Sequence, residues 1–131
     1  MPSSRPATTD RRAGAGEVPH ENEVRLVGRL AAEPVSRELP SGDLLVTFRL
    51  VVARRAAARI PGAAAARSPS VDTIDCTAWR KDVQRTLRRA AAGDVLEVEG
   101  ALRRRFWRGA GGPASRSEVE VGRVRRTAAG R

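Results

Sequence analysis

The sequence predicts an all-β fold: a five-stranded Greek-key barrel with one short helix between the third and fourth strands. Three observations predict it. Apolar residues recur at every second position in five short segments of a 131-residue chain. The period turns helical only over Arg80–Ala92. Turn formers separate the segments, at Glu33-Pro34, Pro40-Ser41-Gly42-Asp43 and Gly109–Ser115. A chain of this length holds one domain and short tails.

Each element follows from its own residues. Residues 1–21 are rich in Pro, Ser, Ala, Gly and Arg without apolar periodicity, and read as a disordered leader. Val24–Leu30 alternates, with Val24, Leu26, Gly28 and Leu30 on one face and Arg25, Val27 and Arg29 on the other. Leu44–Arg54 alternates again: Leu44, Val46, Phe48, Leu50 and Val52 form the apolar face, while Thr47 and Arg49 point away. Arg55–Ser70 dissolves into Ala, Arg, Pro and Gly and reads as a long mobile loop. In the third strand, Asp72–Trp79, the residues Ile74, Cys76 and Ala78 point in and Thr73, Asp75, Thr77 and Trp79 point out. Over Arg80–Ala92, Val83, Leu87, Ala90 and Ala91 make one apolar stripe, and Gly93 suits the position after the last turn. Asp94–Trp107 is the fourth strand, with Leu96, Val98, Leu102 and Phe106 expected inside and Arg103, Arg105 and Trp107 outside. Arg104 breaks this pattern, as expected where a hairpin has left the core. Ser117–Arg126 closes the barrel, with Val119 and Val121 inside and a bulge near Gly122. The domain thus spans residues 22–127, and residues 128–131 form a short basic tail. Five strands with a helix between the third and fourth match the oligonucleotide-binding (OB) barrel.

The charge points to a polyanion. The formal net charge is +10 and the pI about 11.6, which suits nucleic acid or an anionic membrane surface. Lys81 is the sole lysine. Arginine forks onto phosphate and stacks on bases, but a genomic codon bias, also visible in the many alanines, explains the arginine excess equally well. No apolar run is long enough to cross a bilayer, and the first twenty residues lack the apolar core of a secretory signal. A cytoplasmic protein is expected. A single cysteine, Cys76, excludes an internal disulfide framework and a Cys-rich metal site; it reads as a small core residue. His20, the one histidine, has no partner for metal binding or catalysis. There is no Gly-rich phosphate loop and no nucleophile–base arrangement, so neither an enzyme nor a cofactor is expected.

The most informative segment is Arg103-Arg104-Arg105-Phe106-Trp107-Arg108, two aromatics inside a basic run in a chain only 3% aromatic. On a strand, Arg103, Arg105 and Trp107 share one face, so guanidinium groups for phosphate lie beside a ring for an unpaired base. A competing use exists. If the hairpin pairs Trp107 with Arg116, Arg105 faces Glu118 and Arg103 faces Glu120 as cross-strand ion pairs.

Several blocks resemble the bacterial single-stranded DNA-binding proteins. They are Asn22-Glu23-Val24-Arg25-Leu26-Val27-Gly28-Arg29-Leu30, Glu33-Pro34 followed by Arg37, Ser41-Gly42, and Val46-Thr47-Phe48-Arg49-Leu50. Ile74-Asp75-Cys76-Thr77-Ala78-Trp79-Arg80-Lys81, Gly93-Asp94-Val95, Val98-Glu99-Gly100-Ala101-Leu102 and Ser117-Glu118-Val119-Glu120-Val121 follow in the same order. The resemblance implies an OB-fold, a homotetramer, and sequence-tolerant binding and protection of single-stranded DNA in replication, recombination and repair. By position, Trp79 and Trp107 match the family's base-stacking aromatics and Lys81 a backbone-contacting lysine. Arg49, Arg54, Arg55, Arg80, Arg103, Arg105 and Arg108 complete the expected nucleic-acid set. Phe48 falls in the core register and is not counted as a stacker.

Three departures qualify the resemblance. Ala56 and its neighbours, and Thr73, stand where the family often has aromatics. Stacking is worth about 1–3 kcal/mol per base, so two absent rings remove about 2–6 kcal/mol per barrel. Arg54, Arg55, Arg59 and Arg67 are expected to return part of this through salt-dependent phosphate contacts. The chain given ends at Arg131 after a basic stretch, where the family often carries a long tail with an acidic tip; the resemblance then implies a short accessory paralogue. The alternative reading is an OB-fold interaction module, primosome-type or RNA-binding, that mainly docks proteins or structured RNA. Affinity for poly(dT) against duplex DNA and structured RNA separates the two.

Overall fold

The computed structural model describes residues 18–55 and 70–130. The expected leader through residue 17, and Ala56, Arg59 and Arg67 of the expected loop, lie outside the described residues. The elements run β1 (Val24–Leu30), β2 (Val35–Glu38), β3 (Leu44–Ala53), β4 (Val71–Ala78), α1 (Lys81–Arg88), β5 (Val95–Gly109) and β6 (Gly112–Ala128). The sheet order is β1-β5-β6-β4-β3-β2, and pairing of β1 with β3 through Arg29↔Val51 and Leu30↔Leu50 closes the barrel.

One strand more is present than the periodicity indicates. β2 pairs with β3 from Val35↔Thr47 to Glu38↔Leu44, and all four of its residues are exposed. An edge strand with no buried face has no apolar alternation to betray it. The turn after it is the expected one: the Leu39 amide donates to the Asp43 carbonyl at 2.8 Å, and Gly42 takes φ +94°.

The inward residues of β1, β3, β4, β5 and β6 build the core. Leu30, Val46, Phe48, Leu50, Cys76, Ala78, Leu96, Val98, Val119 and Val121 are buried, with Val83 and Leu87 of α1 closing one end. The helix is shorter than the expected Arg80–Ala92. Arg80 caps it at one end and Arg89 at the other, so Ala90 and Ala91 follow it rather than extend its stripe; Ala90 packs on the core and Ala91 is exposed. The third buried residue of α1 is Gln84. Its amide donates to the carbonyls of Leu44 and Ala78, both at 2.9 Å, so it ties α1 to the ends of β3 and β4. Gly93 takes φ +92° as the third residue of a turn closed by the Asp94 amide on the Ala91 carbonyl. That conformation favours glycine.

The β5–β6 hairpin is longer than expected. The Gly109–Ser115 segment is not a loop: β6 resumes at Gly112, which pairs with Gly109, and Gly112 takes φ +114°. Beyond the barrel the hairpin is wet on both faces, which explains Arg104. It also corrects two positions, because Leu102 (50% exposed) and Phe106 (73%) lie outside the core. The alternation of β5 runs on past the point where anything covers its inner side. The expected bulge is present: Glu99 pairs with Arg123 and Gly100 with Val121, leaving Gly122 as the extra residue. At the chain's start, the Asn22 side chain exchanges two hydrogen bonds with the Leu102 backbone, both 2.8 Å.

Candidate nucleic-acid interface

The outward residues of four neighbouring strands form one face. β3 contributes Thr47 and Arg49, and β4 contributes Thr73, Asp75 and Thr77. β6 contributes Arg116, Glu118 and Glu120, and β5 contributes Arg103, Arg105 and Trp107. Trp79 follows Ala78 in the same alternation. The parallel β4–β6 register (Thr77↔Glu120) and the β5–β6 register (Trp107↔Ala114) put the two tryptophans at opposite ends of this face. Their rows are eight β6 residues apart, about 25 Å at the rise of a strand. Both rings are open, Trp79 37% and Trp107 47% exposed.

The chain has four aromatic residues, and only Phe48, 5% exposed, serves the core. Apolar rings of this size stabilise a fold most when buried. Three left exposed on so small a domain make a candidate binding surface.

Most arginines of the face already hold a carboxylate. Arg49 Nε donates to Asp75 at 3.1 Å, and Arg116 reaches the same carboxylate at 3.9 Å. Arg105 Nη1 lies 3.3 Å from Glu118, and Arg103 Nε 2.7 Å from Glu120. These are the ion pairs foreseen from the sequence, but they form diagonally. The register opposes Arg103 to Glu118, Arg105 to Arg116 and Trp107 to Ala114, two residues from the expected Trp107–Arg116 pairing. Side chains as long as arginine reach the diagonal neighbour on one face of a sheet. Glu118 is buried and also accepts from the Thr77 hydroxyl at 3.2 Å, so it anchors β4 to β6 beneath the face.

The remaining expected residues divide. Arg108 and Lys81 are exposed with no carboxylate partner among the described residues, and so is Arg55. Arg80 is held by both oxygens of Asp82, at 3.0 and 2.9 Å, where α1 begins. Arg54 is held by both oxygens of Asp72, at 3.1 and 2.9 Å. In each pair the hydrogen bonds raise the guanidinium above its ordinary value and lower the carboxyl below its own. Arg54 has the parity of Val52, not of Arg49, so the outer face does not include it.

Three contributors escaped the sequence reading. Arg37 of β2 and Arg116 line a groove of about 580 Å³ on this face, together with Arg49, Asp75 and Glu118. Phe106 stands on the hairpin's other side with the Arg104 guanidinium 5.5 Å from its ring centre. A ring and an arginine thus flank the hairpin on both sides, and the adjacent Phe106 and Trp107 between Arg105 and Arg108 were the available signal, since neighbours on a strand point to opposite faces. Cys76 takes no part: burial, and then the charges of Asp75 and Glu118, push its thiol up to about 12. Among the described residues no cluster of His, Cys, Asp and Glu suits a metal ion.

A closed barrel with open rings and guanidinium groups along one face defines an OB-type fold whose outer surface offers stacking and phosphate-contacting groups. The family model described as "Single-strand binding protein family" matches residues 21–127, and the chain belongs to that family. It is 36% identical over 91 residues to a single-stranded DNA-binding protein of Bacillus cereus, covering 70% of this chain and 50% of the relative. Against single-stranded DNA-binding protein A of Bacillus subtilis the identity is 31% over 84 residues, 64% of this chain and 45% of the relative. The chain therefore spans about half the length of the curated relatives it matches. The fold resembles a Plasmodium falciparum SSB solved in complex with ssDNA, with a TM-score of 0.62 and 19% identity, covering 83% of this chain and 95% of that one. No helix among the described residues is long and apolar enough to cross a membrane.

Proposed function

We propose that the chain binds and protects single-stranded DNA without sequence preference, in the cytoplasm, in support of replication, recombination and repair. One observation carries this reading: Trp79 and Trp107 stand open at the two ends of a single outer face, with Arg49, Arg116, Arg105 and Arg103 between them. Bases stack on the rings, and phosphates take the guanidinium groups from their carboxylates. The role is binding rather than catalysis. Lys81, Arg80 and Arg108 extend the path at its ends, and Arg54 and Arg55 act from the rim.

The assembly we propose is a homotetramer. Val27 is 46% exposed on β1 between Arg25 and Arg29, and from Val24 to Val27 the edge of β1 away from β5 pairs with no strand among the described residues. Light scattering gives about four chains per particle on this reading, and a concentration-independent monomer refutes it.

The test of binding is a titration of dT oligomers while tryptophan emission is followed. Quenching is expected, with a logarithmic salt slope near −3 to −4 for about four to six phosphate contacts. Preference for duplex DNA or structured RNA over dT overturns the proposal.

A further inference from the structure

A second basic surface lies away from the face just described. A groove of about 600 Å³ runs between α1 and β6, walled by Arg80, Arg85 and Arg89 on one side and Arg123 on the other. Its one carboxylate, Asp82, already accepts from Nε and Nη2 of Arg80. Arg85 and Arg89 are exposed and have no carboxylate partner among the described residues, and Arg123 has only Glu99 at 3.8 Å. The macrodipole of α1 accounts for arginines in its last turn. It does not account for Arg123, which reaches the groove from a strand.

We propose that this groove carries the phosphate backbone of the same single strand after it leaves the Trp79 ring. The proposal rests on the outer-face reading and adds a second path to it. Continuity supports it, because Trp79 ends the outer face and the next residue, Arg80, begins the groove wall. The groove extends about 13 Å from Arg80 to Arg89 at the rise of a helix. Its β6 wall includes Gly122, the bulge residue, which is exposed and presents no side chain, so a nucleic-acid backbone approaches the sheet closely there. The groove offers guanidinium groups and no ring, so it takes phosphates without reading bases.

The test compares dT oligomers of about 8 and about 35 nucleotides, the shorter within the ~4–16 that one OB barrel holds. The variant is Arg85→Gln with Arg89→Gln, which keeps good helix formers on an exposed surface. For the long oligomer, affinity should fall several-fold and the logarithmic salt slope should become shallower by about 1.4, at about 0.7 per lost contact. For the short one, both should stay as in the unaltered protein. Arg123→Gln tests the opposite wall and should flatten the long-oligomer slope by about 0.7. Equal losses for both lengths indicate a general field effect and overturn the proposal, as does no loss for either. Loss of binding to a poly-glutamate peptide with dT binding intact assigns the groove to an acidic protein segment and also overturns it. Failure of the outer-face reading is separately visible, as absence of short-oligomer binding by the unaltered protein.

Discussion

The Arg116 guanidinium stands over the Trp107 ring, 5.7 Å from its centre, although the sheet register sets Trp107 opposite Ala114. The contact is a diagonal one, on an indole that stays 47% exposed. On the proposed reading, a base stacked on the exposed part of the ring completes a guanidinium–indole–base stack. Such a cation–ring contact is worth about 0.5–1 kcal/mol at an exposed site. It helps to hold the ring in place.

Trp107→Ala should therefore weaken dT binding by about 1–3 kcal/mol, the usual loss of one stacking ring. The melting temperature should fall by only a few degrees, the share of the lost Arg116 contact, because this part of the hairpin covers no core. Trp79→Ala should behave alike. Fluorescence anisotropy with labelled dT, alongside thermal melts, measures both quantities. A ring that instead serves a subunit contact shows itself as a change in particle mass with affinity retained.

Asp75 holds two arginines of the outer face, Arg49 at 3.1 Å and Arg116 at 3.9 Å. On the proposed reading, phosphate displaces it to reach them. Exposed ion pairs are worth about 0.2–1 kcal/mol, so Asp75→Asn should tighten dT binding by about 1.5- to 5-fold. Isothermal titration at one fixed salt concentration decides this, and weaker binding by the variant shows that Asp75 positions the arginines instead of restraining them.

How much of this was legible in the sequence depended on whether a residue's neighbours are set by alternation or by register. Leu30, Phe48, Cys76, Leu96, Val98, Val119 and Val121 were placed correctly because a two-residue period with one dry face leaves no other choice. The same rule failed for Leu102 and Phe106, where the period continued but the covering layer ended. β2 was invisible because Val35, Ser36, Arg37 and Glu38 are all exposed. The Arg103–Glu120 and Arg105–Glu118 pairs were foreseen, yet the register behind them was two residues out. Long side chains hid that error by reaching diagonally. Arg116 beside Trp107 and the α1–β6 groove needed three dimensions, since no spacing in the chain announces a contact between a helix and a strand.

Gly100 pairs with Val121 at the point where β6 bulges. A Cβ on Gly100 would run into the Glu120 carbonyl, which is backbone and does not swing aside. Gly100→Ala should cost about 1–3 kcal/mol, the usual penalty of forcing a methyl into packed structure. Gly122→Ala is the internal comparison, because its Cβ would meet nothing closer than 3.9 Å. Urea unfolding of the two variants should separate them clearly. Equal stabilities mean that the sheet relaxes around Gly100.

Asp94 couples the turn before β5 to the end of the chain. Its carboxylate is buried and accepts the Ala91 amide at 2.8 Å and the Gly130 amide at 2.7 Å, with Arg126 at 3.5 Å. The Ala91 amide first, then that of Gly130, and more weakly Arg126, hold the carboxyl below its usual value against the opposing effect of burial. Glu97 is lowered as well, by Arg125 and then Arg25. A carboxyl with a lower pKa folded than unfolded stabilises the fold at any pH above its unfolded value, near 4. That contribution is lost as pH falls below this value and through the folded one. Stability toward urea should therefore hold steady from pH 7 to about 5 and decline below about 4. Asp94→Asn should lower stability at pH 7 and flatten the acid decline, since the amide cannot titrate and offers one oxygen in place of two. A decline of unchanged steepness in the variant assigns the acid sensitivity to the other lowered carboxyls, Glu97, Asp72 and Asp82.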